Sequence, residues 1–299
     1  DAAIDLSVAG SDVTIIDTRP DIDDELIRSG LEAGVTLHQG KAIARANGRK
    51  SVRSVDVIEF DYTQLQPGKI KFNLTCDALL VSGGWTPTLH LISQRGPKPV
   101  YDENLAMFIA SALPDGFHLA GAAALSFGLQ NCVSSGERAG SAAAKECGFS
   151  LSQIGETTLP DLPNDEIDIN TVALWEVPDA LGLKSTMKFV DFQNDVKSED
   201  ISLAHREGYD SVELLKRYTT LGMATDQGKT ANLNALAILA HRHKTHINDV
   251  GTTMFRPPYR PITMGALVGQ QKNLHFQPTR RSPMHDWHVR NNAVFIQTN

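Results

Sequence analysis

Asp17 closes the β-branched run Val13-Thr14-Ile15-Ile16. At the end of the second strand of a βαβ unit, a carboxylate can accept two hydrogen bonds from an adenosine ribose. The competing reading is an ordinary α/β strand that happens to end in Asp, because the glycine-rich phosphate turn of such a unit would fall before residue 1. Arg19, two residues on, would offset only part of the repulsion between Asp17 and a 2′-phosphate, so the pair points to NAD rather than NADP. Gly83 and Gly84 follow the apolar run Leu79-Leu80-Val81, and Gly121 follows Phe117-His118-Leu119-Ala120. Glycines at the ends of buried strands let backbone approach a pyrophosphate or a ring; a tight turn is the bland alternative.

A second constellation, Thr225, Gln227, Gly228, Lys229 and Thr230, precedes an apolar helical pattern. Helix-start N–H groups and an ammonium together make an anion site, whereas a capped surface loop would use the same residues. It is not a P-loop: Gly222 stands six residues before Gly228 where that pattern requires five, and no strand leads into it. Six of the ten histidines lie beyond residue 240, with His241 and His243 alternating and His285 and His288 at helical spacing. No HExxH accompanies them, so they read as solvent or interface histidines and no metal site is assigned. Cys76, Cys132 and Cys147 are odd in number and widely spaced, as reduced structural thiols are. No catalytic residue is assigned, because no Gly-x-Ser-x-Gly or comparable nucleophile motif occurs.

These residues need elements to hold them. The pattern predicts a helix end over 2–9 with Gly10 at its C-terminal turn, a strand over 13–16, a helix over 23–33 and a strand over 35–37. Alternating strands follow over 41–60 and 69–75, with turns at Gly48 and Pro67-Gly68. Further strands are expected at 76–82, running into Gly83-Gly84, and at 116–120, running into Gly121. A small-residue helix spans 129–146, and the Pro- and Asp-rich stretch 151–187 reads as a linker. Helices over 198–206 and 211–220, with Ser198 and Ser211 as N-caps, precede a helix opening at Gly228-Lys229-Thr230.

The 299 residues suffice for about two domains, and 41% apolar with 21% charged residues excludes disordered, collagen-like and coiled-coil classes. No run of 18 apolar residues and no basic, then apolar, N-terminus occurs, so neither membrane nor secretion is expected and a cytoplasmic location is. Residues 1–241 carry 20 basic against 33 acidic side chains and residues 242–299 carry 8 against 2. The basic segment interleaves Arg256, Arg260, Arg280 and Arg281 with prolines instead of aligning them on a helix, which argues against nucleic acid.

Residues 189–196 (FVDFQNDV) and 215–230 (LKRYTTLGMATDQGKT), with their flanking regions, closely resemble the alpha-subunit family of heterotetrameric sarcosine oxidase. The resemblance covers essentially the whole chain and implies a fragment of a longer subunit. The implied fold class is α/β: residues 1–150 form a partial two-dinucleotide-binding-domain flavoprotein (Rossmann-type) domain lacking its first strand. Residues 151–187 are a linker, and 188–248 a small helical domain. Residues 249–299 are a linker and the beginning of an α+β aminomethyltransferase-like folate-binding domain, starting near Arg280. The superfamily's Gly-Asp contact to flavin is absent, because Gly121 is followed by Ala122. Relatives among opine dehydrogenases hold a [2Fe–2S] cluster at four cysteines whose places fall here on Asp191, Gln193, Asp226 and Ala231, none of them a thiolate.

The resemblance implies oxidative demethylation of sarcosine to glycine, with hydrogen peroxide formed and the one-carbon unit passed to tetrahydrofolate. The implied cofactors are NAD at Asp17, Arg19, Gly83, Gly84 and Gly121, and FMN at an interface with the beta subunit facing Thr225, Gln227, Gly228, Lys229 and Thr230. Tetrahydrofolate would bind the third domain. The partners would be beta, gamma and delta subunits. Two alternatives stay open: an electron-transfer subunit of an opine or amino-acid dehydrogenase, and a redox-inactive aminomethyltransferase-like folate-binding protein.

Overall fold

The computed structural model describes residues 2–150, 173–180, 187–257, 259–270 and 279–296. It divides into residues Asp1–Arg256 and Pro257–Asn299. The linker expected over 151–187 lies mostly outside the described residues.

The chain opens with α1 (Ala2–Val8), turned at Gly10 with φ +95°, a conformation open to glycine at little cost. β1 (Thr14–Ile16) and β2 (Thr36–His38) then pair in parallel, Ile15 opposite Leu37, across α2 (Asp24–Glu32). Asp23 caps α2: its carboxylate accepts from the N–H groups of Glu25 (2.8 Å) and Leu26 (3.2 Å), satisfying donors that a helix start leaves over. This is the βαβ half-unit legible in the sequence, with Asp17 immediately after β1.

β3 (Lys41–Gly48), β4 (Val52–Asp61) and β5 (Gln66–Thr75) form an antiparallel meander. The central β4 is buried on both faces: Val55, Val57, Ile58 and Phe60 are in the core, and Asp56 lies among them. Burial alone would raise the Asp56 carboxyl. Hydrogen bonds from Asn73 (2.8 Å) and Arg45 (2.9 Å), with the charge of Arg45, outweigh it and hold the group below its ordinary value. A carboxyl depressed in the folded state contributes stability above the unfolded value, about 3.9, and loses that contribution as pH falls through the lower folded value. Asp56→Asn should therefore lose much of its deficit relative to wild type between pH 7 and pH 2. Urea denaturation at both pH values checks this, and an equal deficit at both would count against it.

Two expected strands do not form. Residues 76–87 run without strand pairing, and Leu80 and Val81 are 72% and 80% exposed. Among the described residues the parallel sheet has only β1 and β2, so this apolar run has no ladder to join, and an unpaired strand leaves its backbone to water. Residues 116–120 likewise bend into a 3₁₀ turn, Gly121–Ala124, ahead of α4 (Leu129–Glu146), which lies where the small-residue pattern put it. Between them lie a short α3 (His90–Ser93) and a hairpin, β6 (Val100–Asp102) and β7 (Met107–Ile109).

The second core is helical. A hairpin of β8 (Phe189–Asp191) and β9 (Val196–Lys197) leads into α5 (Ser198–Arg206), α6 (Val212–Thr219), α7 (Asn232–His243) and α8 (Ile247–Val250). Ala235 through Ala240 of α7 are all buried, so α7 is the central rod, packed by Ile201 and Ala204 of α5, Leu215 of α6, and Leu221. Glu176 fastens this bundle: its carboxylate meets Lys188 (2.9 Å), Ser198 (2.9 Å) and Arg242 (3.3 Å). Ser198 is the first residue of α5 and not its cap, and Ser211 stands at the N-cap of α6 without a side-chain cap bond. Tyr101 of β6 packs on Trp175, and the Asn248 amide of α8 accepts from Tyr101 N–H (2.7 Å) and donates to its carbonyl (3.0 Å). Among the described residues, the unit Pro257–Asn299 holds α9 (Met264–Val268), capped by the Thr263 hydroxyl, and α10 (His285–Arg290). No helix among them is long and apolar enough to cross a membrane.

Candidate functional site

The loop 221–231 is built around two glycines and an asparagine. Gly222 (φ +63°) and Gly228 (φ +76°) have the left-handed backbone that favours glycine, and a Cβ on either would run into the Asn232 side chain. Asn232 fills that space: its amide donates to the Gln227 carbonyl (3.2 Å) and the Thr253 hydroxyl (2.8 Å), while its Oδ1 is buried without a hydrogen-bond partner. Asp191, 2% exposed, anchors the loop from below, accepting from the N–H groups of Gly222 (2.8 Å), Gln193 (2.9 Å) and Asn194 (3.3 Å).

The residues singled out beside Lys229 are drawn into this architecture. The Gly228 N–H donates to the Asp226 carboxylate (3.1 Å), the Lys229 N–H to the Asp226 carbonyl (3.2 Å), and the Thr230 hydroxyl to Asp226 Oδ2 (3.3 Å). The expected helix start at Gly228-Lys229-Thr230 is a turn instead, and α7 begins at Asn232, because Gln227 and Gly228 stand at positive φ (+54° and +76°), outside the right-handed helical region. Gln227 pairs its amide with the backbone of Arg256, donating at 2.9 Å and accepting at 2.7 Å, and the Thr225 hydroxyl meets Gln193 Oε1 at 3.3 Å. The four positions at which the resemblance places cluster cysteines supply a carboxylate clamp (Asp191), a loop tie (Gln193), a turn former (Asp226) and a buried methyl (Ala231).

Above this loop a cleft is lined by Gly228, Lys229, Asn232, Thr86, Pro87 and Phe108. Thr252 and Thr253 complete its polar rim, and Phe255, Leu233 and Leu236 its apolar floor. Sequence reading missed Thr86, Asn232 and Thr253, since nothing local marks them; only the fold brings them to Lys229.

The other singled-out residues have three separate surroundings. Asp17 Oδ1 accepts from the N–H (2.9 Å) and Nε (3.1 Å) of Arg19, and Oδ2 from Nη2 (2.7 Å). Half-burial raises the Asp17 carboxyl, and the Arg19 hydrogen bonds and charge outweigh it, leaving it lower than usual. A Cβ at Gly83 or Gly84 would meet nothing within 4 Å, and Trp85 next to them is 83% exposed. Gly121 (φ +60°) opens the 3₁₀ turn facing the Cys132 thiol.

Residues 185–271 match a family described as the sarcosine oxidase A3 domain. The sarcosine oxidase subunit alpha of Rhizobium meliloti (strain 1021) is 38% identical over 99% of this chain. The chain is homologous to sarcosine oxidase alpha subunits. The subunits of Corynebacterium sp. strains P-1 and U-96 are 34% and 32% identical over 97% of it. The chain spans 28–30% of the length of these relatives. Among solved structures, L-proline dehydrogenase from P. horikoshii matches 85% of this chain and 49% of its own, with a TM-score of 0.57 at 20% identity. That likeness supports the α/β fold class.

Proposed function

We propose that this chain is part of the alpha subunit of a cytoplasmic, heterotetrameric sarcosine oxidase, an oxidoreductase acting on the CH–NH bond of sarcosine. It provides an NAD-binding scaffold and one wall of an FMN site, and begins the folate domain through which the one-carbon unit passes to tetrahydrofolate as glycine and hydrogen peroxide form. The observation that carries the FMN part of this reading is the cleft that brings Lys229 together with Thr86, Thr252 and Thr253. A cationic side chain and several hydroxyls lining one space suit a flavin with its phosphate. FMN, when bound there, would supply electron acceptance; this chain's own residues bind and orient it. The exposed Leu80, Val81 and Trp85, adjoining Thr86 in sequence, fit a face that a beta subunit covers. At the NAD site Asp17 retains room: a carboxylate has about four acceptor positions and Arg19 uses three, leaving one for a ribose hydroxyl.

Two outcomes are expected in the assembled full-length protein. Lys229→Met should lower FMN affinity about tenfold or more, the effect of a shielded charge-assisted bond of about 1.5–3 kcal/mol, and spare NAD binding. Flavin content measured by absorbance checks it, and unchanged content would return the loop to a purely structural role. Asp17→Ala should weaken NAD by a comparable factor in a calorimetric titration, and unaltered affinity would remove Asp17 from the site.

A further inference from the structure

His205, Asp210 and His243 meet at one end of the helical core, away from every residue assigned above. His205 sits in the last turn of α5, His243 ends α7, and Asp210 lies in the loop that joins α5 to α6. Their ligand-type atoms lie within 4.8 Å of one another. Asp210 Oδ1 is 3.0 Å from His205 Nδ1 and 3.7 Å from His243 Nε2, and the two rings are 4.4 Å apart between centroids. His243 Nε2 is buried and has no hydrogen-bond partner, an arrangement that costs free energy unless a partner or a metal ion meets that nitrogen.

We propose that these three side chains form a binding site for a zinc-class divalent cation. Two imidazoles and one carboxylate are the donor set that zinc takes, with bonds of about 2.0–2.2 Å, so a tetrahedral ion sets its donors roughly 3.3–3.5 Å apart. Two of the separations, 3.0 and 3.7 Å, bracket that value and the third lies within 4.8 Å, so an ion would draw the donors together. Asp210 is 61% exposed, so water has access to the fourth position. The electrostatics agree, because the C-terminal ends of both α5 and α7 converge here and helix C-termini carry partial negative charge that favours a cation. The mounting is firm: α5 and α7 pack through the fully buried Ile201, Ala204 and Leu239, and Arg242 donates to Ser202 (3.0 Å) across the same seam. An ion at this point would staple the ends of the two helices.

The test is a titration of the full-length protein, stripped with chelator, against Zn²⁺ by calorimetry, with thermal melting in parallel. The expected result is an ion bound per chain that disappears in His243→Gln and His205→Gln, is weakened at least tenfold in Asp210→Asn, and persists in His285→Ala with His288→Ala. Zinc should raise the melting temperature of wild type and not of the histidine variants. Asp210→Asn, at an exposed position, keeps the test decisive should a histidine variant fail to fold. Absence of binding at 100 μM Zn²⁺ in wild type, or stoichiometry unchanged in all three ligand variants, would overturn the proposal.

Discussion

Asp191→Ala is expected to destabilise the protein by about 3 kcal/mol or more. The carboxylate is 2% exposed and is the shared acceptor for three backbone N–H groups, two in the β8–β9 turn and one at Gly222. Hydrogen bonds to a charged group contribute about 1.5–3 kcal/mol each, and a buried donor left without a partner costs about 1–3 kcal/mol, though the three are not additive. Asp191→Asn keeps the shape and one acceptor oxygen, so its loss should be smaller. Urea denaturation measures both, and a loss below about 1 kcal/mol for the alanine variant would mean that water replaces the carboxylate readily.

Gly228→Ala should cost a similar amount for a different reason. At φ +76° an L-residue is strained by about 1–2 kcal/mol, and the new Cβ would overlap the Asn232 side chain. Asn232 must then leave, giving up its bonds to the Gln227 carbonyl and the Thr253 hydroxyl. The double variant Gly228→Ala with Asn232→Ala has no overlap to relieve, so its loss should fall short of the sum of the single losses by about 1 kcal/mol or more. Strict additivity in the denaturation midpoints would show that Gly228 and Asn232 do not share the space.

Gly228 also shows where local reading stops. Gly-Lys-Thr ahead of an apolar run has the composition of a helix opening, and the helix does follow, but Gln227 and Gly228 at positive φ break the helical path and move the start to Asn232. Elements defined by their own periodicity were legible: α2, the meander, α4, and α5 over 198–206. Elements that exist only with a partner were not. Leu79-Leu80-Val81 has strand composition but no neighbouring strand among the described residues, while the hairpin of β6 and β7 forms from residues with no strong strand pattern because Tyr101 has Trp175 and Asn248 to pack and pair with. The same limit applies to sites. His241, His243, His285 and His288 were visible as near neighbours in sequence, yet the group that assembles takes only His243 from that set and recruits His205 and Asp210 across the fold.

The Asn248 amide, bonded both ways to Tyr101, closes an interval of 147 residues with one side chain. Its first consequence concerns self-association: the N–H and C=O of an outer strand are what a strand from another molecule would seize, and here those of Tyr101 are already spoken for. The second concerns folding. Contacts between residues so distant in sequence carry a large loop-closure cost, and the Tyr101 groups are covered only where α8 is docked on the hairpin. A chain in which α8 is not docked leaves that part of the strand edge open to wrong pairing.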